Sequence, residues 1–422
     1  MKTTSTALPS ARHQQQWTNW GGNQVCTPAL TVRPTTEAEA VAAVRHAIKE
    51  GLGVRVAGSG HSFTPVVQTG GMLLDLSGLQ GITGIDASTR RVRALGGTTI
   101  DRFGDPLWEH GLALANQGDI DKQAIAGAVS TATHGSGLGL GSFSSTVRWM
   151  RLLTGQGEIV EIDETDPERL HAVQVAVGTA GVILELELQA VEAYHLREQI
   201  TYETTEELLA NWERNPAESR HFSFLWCQAP ESAGLYELPT PEGLDMVGRA
   251  YTKRYWAESL DESDGQALSS EEGRRRDRSY RIYPGGFMLP FHELEYYVGV
   301  GRAKEAWVAL KDLIVEDFPD QHYPIETRWT RGDEAFISPF HAEDKVSLSV
   351  SGAPGTDYWP YLQAVDALLD GFDATVHWGK IHLLTRERAE RLFPRLPDFL
   401  AVRRELDPHG VFLNDHTRAL FQ

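Results

Sequence analysis

Cysteine is nearly absent. Cys26 and Cys227 are the only two in 422 residues, which excludes a disulfide framework and a thiolate metal site. No stretch approaches the ~20 apolar residues needed to cross a bilayer. The polar segment Met1 to Gln16 lacks the apolar centre of a secretory signal. No membrane span and a cytoplasmic location are therefore expected. A basic excess is missing as well. With a formal net charge of -19, the chain would repel phosphate backbones, so nucleic acid is not an expected partner. The histidines at 134, 292, 377 and 382 show no ligand spacing, and no metal is expected. There is no G-x-S-x-G elbow, no GxxxxGK[ST] and no GxGxxG opening a helix. That removes the commonest hydrolase, NTPase and Rossmann readings.

What the chain does have is enough length for two domains. Its 41% hydrophobic and 23% charged residues are the proportions of a soluble globular protein. Residues 1–16 read as a disordered arm. Thr36-Glu37-Ala38-Glu39 has the form of a capping box, followed by Val41, Val44 and Ile48 at helical spacing and a stop at Gly51. A strand over 52–56 then enters the loop Gly58-Ser59-Gly60-His61-Ser62-Phe63-Thr64-Pro65. Glycines there free the backbone to approach a ligand, and an imidazole follows at once. Two readings stand at this point: a glycine turn with a surface histidine, or a phosphate cradle with a reactive side chain at its lip.

Further strands are expected at 72–76, 82–86 and 91–95, and a helix from Thr99 to His110. Asn116 to Gly141 is a second concentration of small residues, suited to backbone laid flat against a ligand. Ile120, Ile125 and Val129 interrupt it, which a flexible linker would not need. Val147 to Leu153 and Glu158 to Asp163 read as a hairpin, and Val182 to Leu188 as a half-buried strand.

Composition shifts near Ala193 towards aromatics and charge. Gln266 to Arg281 is expected as a solvated loop or helix. Phe291 to Val298 alternates with Glu293 and Glu295 on one face, and Val346 to Ser351 alternates apolar with hydroxyl. Trp307 to Val315 and Trp359 to Leu369 have helical spacing. The middle of the chain therefore reads as an open sheet covered by helices, with one polar face, within an α+β protein. Glu326-Thr327-Arg328 puts an acid and a guanidinium on one face of a strand; such a pair can orient a hydroxyl and stabilise an anion, or be an ordinary ion pair. Lys380, beside Trp378 and Gly379, is either a fixed, partly desolvated charge or an exposed lysine.

Six ordered motifs together resemble the aldonolactone oxidase family of vanillyl-alcohol-oxidase-type FAD flavoproteins: the 58–65 loop, NQGDIDKQAIAGAVSTATHGSG, FHELEYY, ETRW, HWGK and PHGVFLN. The resemblance runs from Trp17 to Phe421. It implies two lobes: an FAD-binding domain over 17–193, a substrate or cap domain over 194–374, and a return to the first over 375–422. The FAD contacts it implies come from Arg55, Gly58, Ser59, Gly60, His61, Ser62, Gly118, Asp119, Ile125, Gly127, Ser130, Thr131, Thr133, His134, Gly135, Gly137, Val182 and His377. His61 would be bonded covalently to the flavin. Glu326, Arg328 and Lys380 would be catalytic, and with Asp119, Ser349 and Ser351 would bind substrate.

The implied reaction is oxidation of a carbinol on a sugar-derived aldonolactone. Hydride passes to flavin N5, and molecular oxygen takes the electrons to give hydrogen peroxide. Alditol oxidases, acting on polyols such as xylitol and sorbitol, are similar and form the alternative. They carry serine where this chain has Asp119, and His and Thr where it has Ser349 and Ser351. Gly118 stands where glycine in the lactone oxidases leaves the flavin edge open to oxygen. An ion-paired Glu326 is expected to have a depressed pKa, which argues against it as general base. A flavin-binding protein without lactone turnover is a further alternative, disfavoured by charges a mere binder does not need.

Overall fold

The computed structural model describes residues 11–262, 265–285 and 289–422. Three sheets of size organise them. The first holds Arg12–His13, Leu30–Val32, Met72–Asp75 and Val54–Ala57 in that order, its last three strands parallel. Helix Glu37–Glu50 packs on it through Ala40, Ala43, Val44 and Ala47, all buried. The Thr36 side chain accepts from Glu39 N, and Gly51 ends the helix at φ 67°. The expected capping box is shifted, however: the Glu39 carboxylate takes the N–H of Thr35 at 2.7 Å. The expected arm also ends early, since Arg12 and His13 pair with Thr31 and Leu30. Its first ten residues lie outside the described ones.

The second sheet runs Ile159–Asp163, Val147–Leu153, Val182–Glu192, Arg91–Leu95, Ile82–Asp86, with Leu112–Leu114 on the far end of Val182–Glu192. The helix expected over 99–110 is a 3₁₀ turn, Ile100–Phe103, followed by a short helix, Gly104–Glu109. Pro106 sits in the first turn of that helix, where its missing N–H costs nothing.

The third sheet is fully antiparallel and has eight strands: Arg276–Arg278, Tyr194–Thr204, Arg249–Ser259, His221–Cys227, Ile325–Thr330, Lys345–Gly352, His292–Gly299 and Thr375–Val376. Part of the segment expected to be solvated thus forms an edge strand, with Arg276 buried and its guanidinium on Glu258. One face of this sheet is apolar. Leu348, Val350, Leu294 and Val298 meet Trp307, Leu310 and Ile314 of helix Val300–Asp317, and Leu362, Val365 and Leu369 of helix Trp359–Asp370. The other face is polar and turns towards the first lobe.

Cross-strand register decides what that polar face presents. Lys253, Ser223, Arg328, Ser347 and Tyr297 are successive partners across five strands. Two residues along lie Leu225, Glu326, Ser349 and Glu295, and beyond them Ser351 faces Glu293. Directly opposed residues have Cβ atoms only about 5 Å apart. Serines between the long charged side chains therefore leave room for those chains to fold over and meet.

The end of the chain closes back on its beginning. Val54 N–H donates to Val411 O at 2.7 Å. Asn414 donates to Pro65 O and Gln68 O at 2.7 and 2.9 Å, holding the exit of the 58–65 loop. Buried His221 and His382 are pushed down to about 3 by desolvation. Each is neutral when folded yet titrates near 6.5 when unfolded, so the unfolded chain binds more protons below pH 6.5. Stability should therefore fall as pH drops from 6.5, by up to about 1.4 kcal/mol per pH unit for each histidine. Urea titrations at pH 7 and 5 should show the decline, and H382Q should reduce it.

Candidate active site

Strand Val54–Ala57 ends in the glycine loop, and Gly60 has φ 74° there, a conformation open mainly to glycine. Among the described residues, no carbonyl or side chain accepts from the backbone N–H groups of Ser59, Gly60, His61 or Ser62. Four free donors in one turn form an anion nest. They open on a cleft of about 930 Å³ lined by Gly58 to Ser62, Gln123, Ala124, Ala126 to Ala128, Ser130, Thr131, Thr133, Gly178, Gly181, Ile183, His377 and Lys380. The short helix Ile125–Ser130 gives the cleft its wall of small side chains. A long ligand carrying phosphates and a flat ring fits such a trough.

His61 stands at its edge. Its Nδ1 is buried and has no partner, and the Trp20 ring lies 5.4 Å away, centroid to centroid. Burial, and then the charge of Lys380, bring His61 down to about 4. The imidazole is therefore neutral, with a ring nitrogen to which the protein offers no hydrogen-bond partner. That is a state suited to bond formation with an electrophilic carbon.

A second cavity, about 520 Å³, adjoins the cleft and shares Gln123, Thr133, His377 and Lys380 with it. Gly118, Asp119, Ile120, His134, Tyr236, Phe291, Glu293, Glu295, Glu326 and Arg328 line the rest. Arg328 Nε and Nη2 donate to the two Glu326 oxygens at 2.9 and 2.5 Å, a bidentate pair. The same guanidinium lies 3.0 Å from Asp119, whose other oxygen accepts from Lys253 at 3.1 Å. Lys380 is paired with Glu293, and its ammonium lies 5.2 Å from the centroid of the Phe63 ring and 6.0 Å from that of Phe291. His134 Nε2 is 3.1 Å from Glu295 and 2.9 Å from the Tyr297 hydroxyl.

These contacts correct several expectations. Burial raises the Glu326 pKa, with Asp119 and Glu293 adding to it against the pull of Arg328, so the depressed value expected for an ion pair does not occur. Asp119 is held low by Lys253 and Arg328 despite its burial. Trp378 is not the aromatic neighbour of Lys380; its indole stacks on Phe393 and donates to Ile337 O. Ile125 and Val182 do not line the cleft: both are in the core, and their neighbours Ala124, Ala126, Gly181 and Ile183 line it instead.

Arg55 touches the cleft, but its guanidinium donates to the carbonyls of Val66, Val177, Gly178 and Phe412. It is a clamp rather than a ligand contact. Gly135 and Gly137 serve backbone packing: a Cβ on Gly135 would meet Gln117 O at 1.8 Å, and Gly137 N–H donates to Trp329 O. Ser349 and Ser351 stand behind the chamber rather than in it, one bonded to Glu293 and the other to the Tyr236 hydroxyl at 2.7 Å.

Lys253, Tyr236, Glu293 and Glu295 were not expected in the site. For the two glutamates the signal was present, since acids at period two inside an apolar strand have to face something polar. Lys253 and Tyr236 carried no such signal. Among the described residues no group of acids, histidines or cysteines could hold a metal ion, and no helix is long and apolar enough to cross a membrane.

Fold and cleft together define a vanillyl-alcohol-oxidase-type FAD flavoprotein. The FAD binding domain family matches residues 28–163, and the D-arabinono-1,4-lactone oxidase family matches residues 250–420. An L-gulono-1,4-lactone dehydrogenase of Mycobacterium tuberculosis is 32% identical over 431 residues, 95% of this chain and 98% of that protein. The L-gulonolactone oxidase of Mus musculus is 26% identical over 96% of this chain and 98% of its own length. In fold the chain is similar to a cholesterol oxidase of Brevibacterium sterolicum, with a TM-score of 0.84 at 16% identity, covering 98% and 97% of the two chains. The chain belongs to the aldonolactone oxidase family, FAD-dependent oxidoreductases acting on CH–OH groups.

The Arg55 clamp yields a direct test. R55M would strand several buried carbonyls at once, costing about 3 kcal/mol or more. Its melting temperature should fall, and the purified protein should retain less FAD than the wild type.

Proposed function

We propose that this chain is an FAD-dependent oxidase of a sugar-derived aldonolactone of the gulono- or arabinono-1,4-lactone type. One observation supports this above the others: Arg328, Glu326, Asp119 and Lys380 converge on a cavity that adjoins the cleft fitted for FAD. FAD bound in the cleft would accept the hydride from the substrate carbon and pass the electrons to oxygen, giving hydrogen peroxide. The chain's own residues do the rest. Arg328 and Lys380 supply positive charge where a carbinol loses its proton, in a site buried enough for those charges to count. Glu326, with its pKa raised, is the carboxylate here best suited to take that proton. Asp119 holds the guanidinium from the side of the first lobe.

A lactone suits the chamber better than an open polyol. Asp119 is engaged by two cations, and Ser349 and Ser351 are turned to Glu293 and Tyr236. None of the three is free to collect a row of hydroxyls. Oxygen as acceptor is supported by Gly118, which lines the chamber with no side chain of its own. His61, neutral and with Nδ1 unpartnered, is the residue we assign to a covalent bond with the flavin.

Two measurements test these readings. Oxygen uptake with a panel of aldonolactones and alditols should favour a lactone, and R328A should lower kcat about 100-fold or more. Unchanged turnover and flavin spectrum in R328A would defeat the role given to that residue. Protein precipitated in acid should stay yellow, and H61A should release its colour. A colourless wild-type pellet would remove the covalent bond while leaving FAD binding in place.

A further inference from the structure

The buried charges of the chamber do not balance until His134 is counted. Four carboxylates are at most 6% exposed: Asp119, Glu293, Glu295 and Glu326. Three cations face them. Arg328 and Lys253 take Glu326 and Asp119, and Lys380 takes Glu293. Glu295 is left with His134, and the two side chains are 2% and 1% exposed. An uncompensated carboxylate at that depth is costly.

Hydrogen-bond geometry leaves room for a second proton on the His134 ring. His134 Nδ1 lies 2.7 Å from Gly135 O, which can only accept, so Nδ1 carries its hydrogen. At Nε2, 3.1 Å from the Glu295 carboxylate, a bare lone pair would face an anion. A proton between them resolves the conflict. The Tyr297 hydroxyl, 2.9 Å from Nε2, could donate to a neutral ring, but that would leave Glu295 unbalanced; with Nε2 protonated it accepts, as Thr330 can at 3.1 Å from Nδ1. Glu326 is the other candidate for the odd proton, its pKa raised by burial; a proton there would leave the potential unmoved by loss of His134, so the variants below separate the two. His377, whose ring centroid is 6.2 Å from that of His134, is pushed by burial down to about 3 and stays neutral. Glu295, in turn, is driven well below its ordinary range with His134 as the main opposing charge.

We infer that His134 is the fourth cation of the chamber, an imidazolium paired with Glu295 that keeps the buried cluster neutral and raises the electron affinity of FAD bound beside it. The inference rests on the FAD reading of the cleft. Its reach follows from position: Thr133, the adjacent residue, and His377 both line cleft and chamber. Nothing in this role has His134 touch the reacting carbon, so it is a positioning residue acting through charge. A mere hydrogen-bonded link between the lobes would need no charge at all.

The test uses the holoenzyme variants H134Q, E295Q and H134Q/E295Q, reading the flavin midpoint potential and the dissociation constant for sulfite. H134Q should lower the potential and weaken sulfite binding at least tenfold, because Glu295 is left unbalanced. The double variant should return both towards wild type, although it has lost two native groups. E295Q alone should hold a potential at or above that of the wild type. An unchanged potential in H134Q, or a double variant displaced further than H134Q, would overturn the inference. If H134Q does not fold, a potential below wild type in E295Q overturns it, and one at or above wild type supports it. A wild-type protein without bound flavin would overturn the FAD reading and this inference together. A yellow protein failing the rescue would overturn the inference alone.

Discussion

The guanidinium of Arg328 is the joint on which the site depends. It lies on the cap sheet, grips Glu326 on its own strand with two hydrogen bonds, and meets Asp119 from a loop of the first lobe. Lys253, two strands away in the sheet, holds the other oxygen of that aspartate. Such a chain of buried alternating charges is stable only if every member has its partner, since removing one strands the next. The result is that the eight-stranded sheet and the loop carrying Asp119 are held together by charge at the cavity they both line. Small serines in the same rows make this possible, because a bulkier residue at 223 or 347 would fill the space over which Arg328 folds.

Legibility in the sequence followed the distance over which information has to travel. The 58–65 loop, the small-residue wall near 126–133 and the Glu326/Arg328 pair are local patterns whose chemistry depends on neighbours in the chain. They were readable, and the structure brings them to one place. Parity was harder. Ile125 and Val182 lie one residue from true lining positions; on the strand that Val182 opens, a slip of one residue exchanges the two faces, and on the helix that Ile125 opens it turns the side chain by about 100°. Lys253 and Tyr236 reach the chamber through strand order and a distant loop, which no spacing rule reports.

The Glu326 pKa illustrates a different gap. An adjacent arginine predicts a lowered value, and the pairing itself is present. The direction is reversed by the depth of the site and by two further carboxylates, neither visible from the motif. The polar alternation of residues 346–351 was likewise plain, yet its serines turned out to be supports for Glu293 and Tyr236 rather than walls of the cavity.

One feature of the fold bears on how the protein comes to be made. The glycine loop at the cleft leaves its strand at Ala57, but Arg55 is tied to Phe412 and the loop's exit is held by Asn414. Contacts across some 350 residues of chain close slowly. During synthesis the first lobe emerges early, without the segment that fixes its loop, and must wait for the last residues to leave the ribosome. The loop thereby gains its brace only after residues 412–414 have been made. A chain cut between Lys380 and Phe412 would keep every residue that lines the cleft and still lack the brace that holds the loop in shape.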